Sequence, residues 1–379
     1  MINRIQTNNI KQWIGKGKAV IVIGPRQVGK TTLVRQITES LDRKTLWLTG
    51  DDPEIRAMLD NISLARLRTI VGDNEVVIVD EAQRITNAGL MLKLFTDHLP
   101  QVQLFVTGSS SLDIAAQTKE SLTGRKFEYP LYPLSFTEMC AYHGYVTERS
   151  LLEHRLLYGY YPEVVLNEPM RAQKVLNDLS DGVMYKDLLT LDRIKKPSTL
   201  VKLLQALALQ VGSEVSYTEV AQLIGIDPVT VEKYIDLLEQ SYVLFRLSSL
   251  SRNARNEIKK GRKIYFYDNG IRNAILKNYA PLELRNDVGA LWENFLLAER
   301  MKRNMYTDYY CNAYFWRTTS QQEIDYVEDA GGRLHAFEFK WQAKKAKRFP
   351  SSFLEAYPGS ETAVIDRNNF EAFVGVEGR

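Results

Sequence analysis

The sequence predicts an α/β protein that begins with a parallel sheet and continues as a series of smaller helical and α/β segments. Three observations support this class. Short runs rich in Val and Ile alternate with helical stretches over residues 19–109. A glycine-rich turn follows the first run, and two carboxylates end a later one. Because the carboxyl ends of parallel strands share one edge of a sheet, we expect the turn and the carboxylates to lie close together.

The first strand is predicted at residues 19–23, AVIVI, which lead directly into residues 24–31, GPRQVGKT. The second segment fits G-x-x-x-x-G-K-[ST], the phosphate-binding P-loop, and residues 32–37 continue as a helix. Gly24 and Gly29 allow the backbone to turn its N–H groups toward phosphate oxygens. The amino end of the helix adds partial positive charge.

Two side chains of this loop are predicted to contact a nucleotide directly. We expect Lys30 to reach the β- and γ-phosphates of ATP, and the Thr31 hydroxyl to bind Mg²⁺. A chance match is the alternative, and the strand and helix on either side argue against it. The predicted nucleotide-binding residues are Gly24, Pro25, Arg26, Gln27, Val28, Gly29, Lys30, Thr31, Thr32 and Asp80.

An acidic pair ends the apolar run at residues 75–79, EVVIV. The run has the composition of a strand buried on both faces. We expect Asp80 to hold the Mg²⁺ shell and Glu81 to orient and deprotonate the attacking water. The alternative is an ordinary solvated strand end.

Further strands and helices complete the first domain. Residues 45–48 predict a strand, and residues 51–54 open a helix with proline just inside its start. Residues 103–111 predict a buried strand that ends in small hydroxyl residues. Thr107 or Ser109 could sense the γ-phosphate, or the serines could cap the next helix.

A specific order of motifs identifies a family resemblance. The motifs are residues 24–32, 79–84, 107–111, 120–125 and 129–136. In this order they resemble a large prokaryotic family of AAA-type ATPases that carry a C-terminal domain of unknown function. The resemblance implies a P-loop NTPase sheet of the AAA/ASCE type, a helical lid, a winged helix and a small α/β restriction-endonuclease-like domain.

Two positions qualify what the resemblance implies. Residues 159–163 read GYYPE, where the family more often has two glycines before Tyr-Pro, so this turn is either a hinge or the start of the lid helix. Arg125 follows a glycine, where its guanidinium could reach a γ-phosphate of the same or a neighbouring subunit. Action on a neighbour would imply a homo-oligomer, and the alternative is a surface arginine beside a strand.

Composition sets the outer limits. A chain of 379 residues with 45% apolar and 25% charged residues is ordinary for a globular protein of two or three domains. No apolar stretch approaches about 18 residues, and the first residues lack an apolar signal core, so we expect no membrane segment. Cys140 and Cys311 lack metal-ligand spacing and favour a reducing, cytoplasmic location. The net charge of +3 is too small to indicate nucleic-acid binding.

The middle of the chain predicts a winged helix-turn-helix. Residues 216–224 and 227–238 have helical periodicity and are separated by Gly225. Residues 242–247 and 263–267 predict the two strands of the wing.

The tip between these strands is basic, with six cations against the single acid Glu257. We therefore expect it to contact DNA phosphates. The second helix offers carboxylates at 232, 236 and 239 beside Lys233, which disfavours base readout. A structural winged helix that links domains or binds protein is the alternative. The basic residues are Arg252, Arg255, Lys259, Lys260, Arg262 and Lys263.

A second chemical constellation lies in the C-terminal third. Asp325 and the strand-like Glu338-x-Lys340 match the PD-(D/E)XK nuclease pattern, and Glu293 on a preceding helix matches its upstream acid. The three carboxylates would bind a second metal, and Lys340 would position the attacking water. The site is either an active nuclease or a salt-bridged relic. Lys344, Lys345, Lys347 and Arg348 would suit a DNA backbone or a solvated helix start.

The leading hypothesis is a Mg²⁺-dependent ATPase whose catalytic residues are Lys30, Glu81 and Arg125 and whose ATP state is coupled to DNA binding or remodelling. A nucleotide-controlled protein-interaction switch and an ATP-regulated, metal-dependent DNA nuclease are the alternatives. The predicted divisions are a P-loop ATPase domain at 1–150, a helical lid at 151–195, a winged helix-turn-helix at 196–267 and a nuclease-like domain at 268–379.

Overall fold

In a computed structural model, the chain folds into two compact units. The first contains residues up to Leu134 together with Gln240–Tyr242, and the second contains the rest. The structure describes residues 2–109, 124–182, 197–251, 261–342 and 348–376.

The first unit is built on a five-stranded sheet in which every pair of neighbouring strands is parallel. Its order is β2-β3-β4-β1-β5, so the strand before the glycine-rich turn and the strand before the acidic pair are separated only by β4. Both of these strands are buried along their whole length, as their Val- and Ile-rich sequences require. The strands are β1 (Ala19–Ile23), β2 (Thr45–Thr49), β3 (Val76–Asp80), β4 (Gln103–Gly108) and β5 (Lys126–Pro130).

Helices cover this sheet and close its core. Leu67 from one helix and Met91 and Phe95, four residues apart on another, pack against buried strand residues in one apolar cluster. The helices are α1 (Gln6–Lys11), α2 (Lys30–Glu39), α3 (Pro53–Leu59), α4 (Leu64–Val71) and α5 (Ala88–His98), with a 3-10 turn at Ala82–Arg84. The parallel sheet and its helices confirm the predicted α/β class.

The second unit begins at a helix start rather than at residue 150. Ser135 and Glu138 form a reciprocal capping box, which fixes the first turn of a new helix directly after the first unit. The helices of this unit are α6 (Phe136–His143), α7 (Tyr145–Ser150), α8 (Leu152–Tyr158), α9 (Pro162–Val165), α10 (Pro169–Gly182), α11 (Pro197–Leu209), α12 (Tyr217–Ile224), α13 (Pro228–Gln240), α14 (Asn269–Leu276), α15 (Val288–Tyr306), α16 (Ser351–Ala356) and α17 (Phe370–Val374).

A seven-stranded mixed sheet runs through the second unit in the order β12-β11-β10-β9-β7-β8-β6. β7 and β8 are the antiparallel pair predicted as the wing, and β7 pairs in parallel with β9 through Ser248 and Tyr314. The strands are β6 (Glu214–Val215), β7 (Leu244–Ser249), β8 (Arg262–Phe266), β9 (Asn312–Arg317), β10 (Glu323–Ala330), β11 (Arg333–Phe339) and β12 (Glu361–Ile365).

This sheet differs from the predicted division at residue 267. We expected the wing hairpin and the C-terminal strands to belong to separate domains, yet hydrogen bonds between β7 and β9 join them into one sheet. The predicted helix pair before the wing is present as α12 and α13, separated by Gly225 in the left-handed conformation. Within the described residues, no helix is both long enough and apolar enough to cross a membrane.

Candidate functional site

The loop between β1 and α2 has the backbone of a phosphate-binding turn. Gly24, Gln27 and Gly29 have φ angles of 155°, 59° and 92°. A Cβ atom at Gly24 would lie 2.0 Å from the carbonyl oxygen of Leu131, so no other residue fits there. Gly29 is the left-handed N-cap of α2, and glycine adopts that conformation without steric cost. The loop therefore leads directly into the amino end of a helix, where anions are favoured.

Lys30 lies within this loop and is buried. Its ammonium donates to the carbonyl oxygens of Gly24 and Pro25, at 3.0 and 2.8 Å. The loop carbonyls thus hold the positive charge close to the backbone N–H groups that follow. The ammonium therefore lies inside the turn in which the sequence predicts the phosphates.

Thr31 and Asp80 meet although they are far apart in sequence. The Thr31 hydroxyl lies 3.2 and 3.3 Å from the two carboxylate oxygens of Asp80. A hydroxyl and a carboxylate are hard oxygen ligands of the kind that Mg²⁺ prefers. The donor set therefore fits the ion that a nucleotide would bring.

Thr107 orients Asp80 instead of standing free as a phosphate sensor. Its hydroxyl hydrogen-bonds to the Asp80 carboxylate and accepts a hydrogen bond from the Glu81 backbone N–H at 3.1 Å. This one side chain at the end of β4 therefore holds both Asp80, the last residue of β3, and Glu81, the residue that follows it. The other candidate sensor, Ser109, accepts a hydrogen bond from Gln83 at 2.9 Å.

Glu81 adopts a left-handed backbone conformation, with φ of 51°. Its carboxylate accepts a hydrogen bond from the Gln83 side-chain amide at 2.6 Å. Because Gln83 also donates to Ser109, it fixes the direction of the Glu81 side chain. We did not predict this role for Gln83, although its position two residues after the acidic pair was a visible signal.

Arg4 is a second residue whose contact with the P-loop we did not predict. Its guanidinium donates to the carbonyl oxygens of Val28 at 2.7 Å and Tyr132 at 2.6 Å, and the side chain is buried. The arginine therefore ties the P-loop to the segment after β5. No sequence signal could have found it, because its partners are backbone carbonyls rather than identifiable side chains.

Arg125 lies at the opposite edge of the sheet from the P-loop. Its carbonyl accepts a hydrogen bond from Ala19 N–H at 3.0 Å, at the amino end of β1, whereas the P-loop follows the carboxyl end. Its guanidinium pairs with Asp97 at the end of α5. Of the two alternatives, action within its own subunit or on a neighbouring one, this position favours the second, because Arg125 lies at the amino end of β1 and the P-loop follows the carboxyl end.

The C-terminal residues Asp325, Glu338 and Lys340 do come together within the second unit. The Lys340 ammonium lies 3.4 Å from Glu338 Oε2 and 4.0 Å from Asp325 Oδ2. Asp325 Oδ2 also accepts a hydrogen bond from the Phe339 N–H at 2.8 Å. The lysine thus neutralises the two carboxylates of the predicted nuclease pattern.

Glu293 is held by residues of the wing strand β8. Its Oε1 atom lies 3.3 Å from the Lys263 ammonium and accepts a hydrogen bond from the Tyr265 hydroxyl at 2.6 Å. Lys263 also lies 2.5 Å from Glu323 Oε1. We expected Lys263 on an exposed wing tip, yet only 2% of its side chain is exposed. That expectation was wrong because the half-buried carboxylates of Glu293 and Glu323 hold the ammonium against the sheet.

Burial raises the pKa of the Glu293 carboxyl to about 7. The Lys263 ammonium opposes this effect and the Asp325 charge adds to it. Within the described parts of the chain, no three His, Cys, Asp or Glu side chains are arranged to hold a metal ion. The described structure therefore does not arrange Glu293, Asp325 and Glu338 as the predicted second metal site. Lys263 lies beside Glu293, and Lys340 lies beside Asp325 and Glu338.

The predicted DNA surface lies largely outside the described residues, which do not include Arg252, Arg255, Lys259, Lys260, Lys344, Lys345 or Lys347. Arg262 is described, and its guanidinium lies 3.5 Å from Glu232 on α13. Arg246 on β7 pairs with Asp236 at 2.7 Å and also with Glu239. Basic residues of the wing strands therefore neutralise the carboxylates of the predicted recognition helix.

Three family models match successive parts of the chain. Residues 16–140 match an AAA domain, residues 149–281 match a domain of unknown function, DUF8612, and residues 288–374 match another, DUF4143. The AAA match covers the sheet and the P-loop, and it supports the predicted AAA-type P-loop family for this part of the chain.

Similar proteins occur in distant microorganisms. An uncharacterized protein of Mycobacterium tuberculosis is 26% identical over 337 residues, which cover 87% of this chain and 72% of the relative. One of Haemophilus influenzae is 25% identical, covering 76% of this chain and 75% of the relative. A Walker-type ATPase of Pyrococcus abyssi has a similar structure, with a TM-score of 0.51 and 17% identity, covering 73% of this chain and 96% of its own. At that identity the likeness shows the fold alone.

Proposed function

We propose that this chain binds ATP with Mg²⁺ at the P-loop and hydrolyses it. The observation that carries the proposal is the convergence of Lys30, Thr31 and Asp80 at one edge of the parallel sheet. The AAA domain match and the fold shared with a Walker-type ATPase also favour nucleotide hydrolysis.

Each residue of the site has a separate role in this proposal. The turn from Gly24 to Gly29 binds phosphate through backbone N–H groups, and Lys30 neutralises the β- and γ-phosphate charge. Thr31 and Asp80 would hold Mg²⁺, which when bound neutralises the charge that develops on the phosphate oxygens. Glu81 orients and deprotonates the attacking water.

The nucleotide proposal is tested by Lys30→Ala in the full chain, with Lys44→Ala as the matched control. Lys44 is an exposed lysine in the same unit and pairs only with the surface residue Asp73 among the ion pairs of the described chain. We expect Lys30→Ala to abolish hydrolysis and weaken ATP binding, and Lys44→Ala to change neither. Undiminished turnover in purified Lys30→Ala would exclude the P-loop assignment.

DNA is the partner that the sequence favours for the ATPase. The support is the basic wing tip, whose charge suits a phosphate backbone. Replacement of Arg255, Lys259, Lys260 and Arg262 with Ala should make the dependence of log K on log salt shallower by roughly 2 to 4 units, at about 0.9 per phosphate contact. Arg171→Ala with Lys174→Ala, both exposed on α10, is the control and should leave the slope unchanged.

A nucleotide-controlled protein-interaction switch is the second candidate, and one observation favours it. The acids of α13 pair with the wing strands, while Leu223 and Val229 beside them are 69% and 75% exposed. Apolar side chains of this kind suit a protein surface better than DNA. DNA-stimulated ATP hydrolysis that declines steeply with salt would favour the first candidate, and its absence would favour the switch.

A metal-dependent nuclease regulated by ATP has the least support, because its predicted carboxylates are paired with lysines. A homo-oligomer remains part of the proposal through Arg125. Since this residue lies away from the P-loop of its own subunit, it could act only on the nucleotide of a neighbouring copy.

A further inference from the structure

Four carboxylates of the second unit form two pairs, and one lysine bridges each pair. Lys340 lies within 4.0 Å of Asp325 and Glu338. Lys263 lies within 3.3 Å of Glu293 and Glu323. The Asp325 charge raises the pKa of Glu293, so the two pairs act on each other. We call these four carboxylates the carboxylate group.

Lys263 reaches this group from a distant part of the sheet. It lies on β8, and two strands, β7 and β9, separate β8 from β10, which begins at Glu323. The Lys263 ammonium lies 5.5 Å from the ring centroid of Phe315 on β9, so the side chain extends across the sheet face. From β8, Lys263 therefore contacts three other elements, namely β9, β10 and the helix α15 that carries Glu293.

The ammonium keeps its charge in this buried position. Burial lowers the pKa of Lys263, and the charges of Glu293 and Glu323 outweigh that effect, so the net pKa is raised. Removal of one partner from a buried ion pair is costly, because the other charge is left without its counter-charge.

We propose that the Lys263 ammonium is the resident cation of the carboxylate group, in the place that a divalent metal would otherwise take. It joins the wing strand β8 to α15 and β10, and it makes the second unit independent of divalent metal for its stability. The proposal does not depend on ATP hydrolysis, since the P-loop lies in the first unit.

The test measures thermal unfolding of the full chain with and without Mn²⁺. Asp80→Asn serves as the background, so that the Thr31–Asp80 site does not respond to the ion. Three variants are added to it: Glu293→Gln, Lys263→Met, and Lys263→Met combined with Glu323→Gln. Lys174→Met is the matched control, because Lys174 is an exposed lysine on α10 of the same unit.

We expect Mn²⁺ to leave the unfolding midpoint of the background and of Glu293→Gln unchanged. Lys263→Met should lower the midpoint by about 5–15 °C, since it removes the buried ammonium beside Glu293 and Glu323, and only Glu323 keeps a second cation nearby, Arg317 at 3.8 Å. Either Mn²⁺ or the added Glu323→Gln should recover part of that loss, because each removes the charge imbalance. Lys174→Met should behave as the background does.

Two results would overturn the proposal. One is a rise in the background midpoint with Mn²⁺ that Glu293→Gln removes, which would mean that the carboxylates bind metal in the presence of Lys263. This comparison stands even if Lys263→Met fails to fold. The other is a folded Lys263→Met that is as stable as the background, or whose loss of stability neither Mn²⁺ nor Glu323→Gln relieves.

Discussion

Arg125 and Asp97 form an ion pair at the amino edge of the parallel sheet, the edge opposite the P-loop. The proposed nucleotide lies at the other end of β1 in the same copy. A catalytic effect of Arg125 is therefore expected only between two copies of the chain.

This relationship predicts how Arg125→Ala behaves in two conditions. At dilutions where light scattering shows a single copy, turnover should stay within about twofold of the wild type. If copies associate and Arg125 acts between them, turnover of associated Arg125→Ala should fall, and mixing with Lys30→Ala should restore part of it. A large loss in the single copy, unrepaired by mixing, would contradict the placement of Arg125.

Glu81→Gln should retain ATP binding and slow hydrolysis by orders of magnitude. The carboxamide cannot accept the proton of the attacking water, while the loop, Lys30 and Thr31 remain intact. Equilibrium binding and steady-state turnover measure the two effects separately. Glu54→Gln is the control, since Glu54 is an exposed carboxylate at the start of α3. Turnover of Glu81→Gln within about twofold of wild type would exclude Glu81 as the base.

Arg4→Ala should weaken ATP binding and destabilise the first unit. It removes two hydrogen bonds from a charged donor to the Val28 and Tyr132 carbonyls, a loss of roughly 1.5–3 kcal/mol. Nucleotide titration and denaturant unfolding measure the two effects. Arg43→Ala, an exposed arginine of the same unit, should change neither. If both measurements on Arg4→Ala match the wild type, Arg4 does not brace the loop.

Glu293 should make the second unit less stable as the pH rises from about 4.5 to about 7. Its pKa is raised in the folded chain, so the folded state binds the extra proton in this range and stability is lost as that proton leaves. The loss is roughly 1–3 kcal/mol. The groups that act on it are Lys263 and Tyr265 on β8 and Asp325 on β10. Denaturant unfolding at pH 5, 6 and 7 should show a smaller decline in Glu293→Gln, and equal declines would contradict the assignment.

The backbone of the P-loop and the closeness of Thr31 to Asp80 were predictable from the sequence, whereas nucleotide binding there stays a proposal. The P-loop needs adjacent residues, and Asp80 follows from the rule that parallel strands end at one edge. Arg4 was not predictable, because an arginine that binds carbonyl oxygens of distant segments leaves no pattern in the sequence. The same is true of Thr107 as a partner of Asp80, since only the folded sheet shows which hydroxyl faces which carboxylate.

The second unit was less predictable because its contacts are distant in sequence. The charge of Lys263 predicted an exposed side chain. Its burial is explained only by the positions of Glu293 and Glu323 in the folded chain. The helices α12 and α13 were predicted correctly from their periodicity. Like the P-loop, a helix depends on residues that are neighbours in the sequence. The pairing of β7 with β9 joins segments whose relation no local pattern shows.

The pairing of Ser248 with Tyr314 also joins two segments of the chain that match different family models. The wing strands belong to the segment that matches one family, and β9 to β12 belong to the segment that matches the next. Separation of the two segments would break the pairing of Ser248 with Tyr314 and of Ser249 with Phe315 and would expose one edge of β7 and one edge of β9. Exposed strand edges promote aggregation. In this chain the two matched segments therefore share one sheet within the second unit.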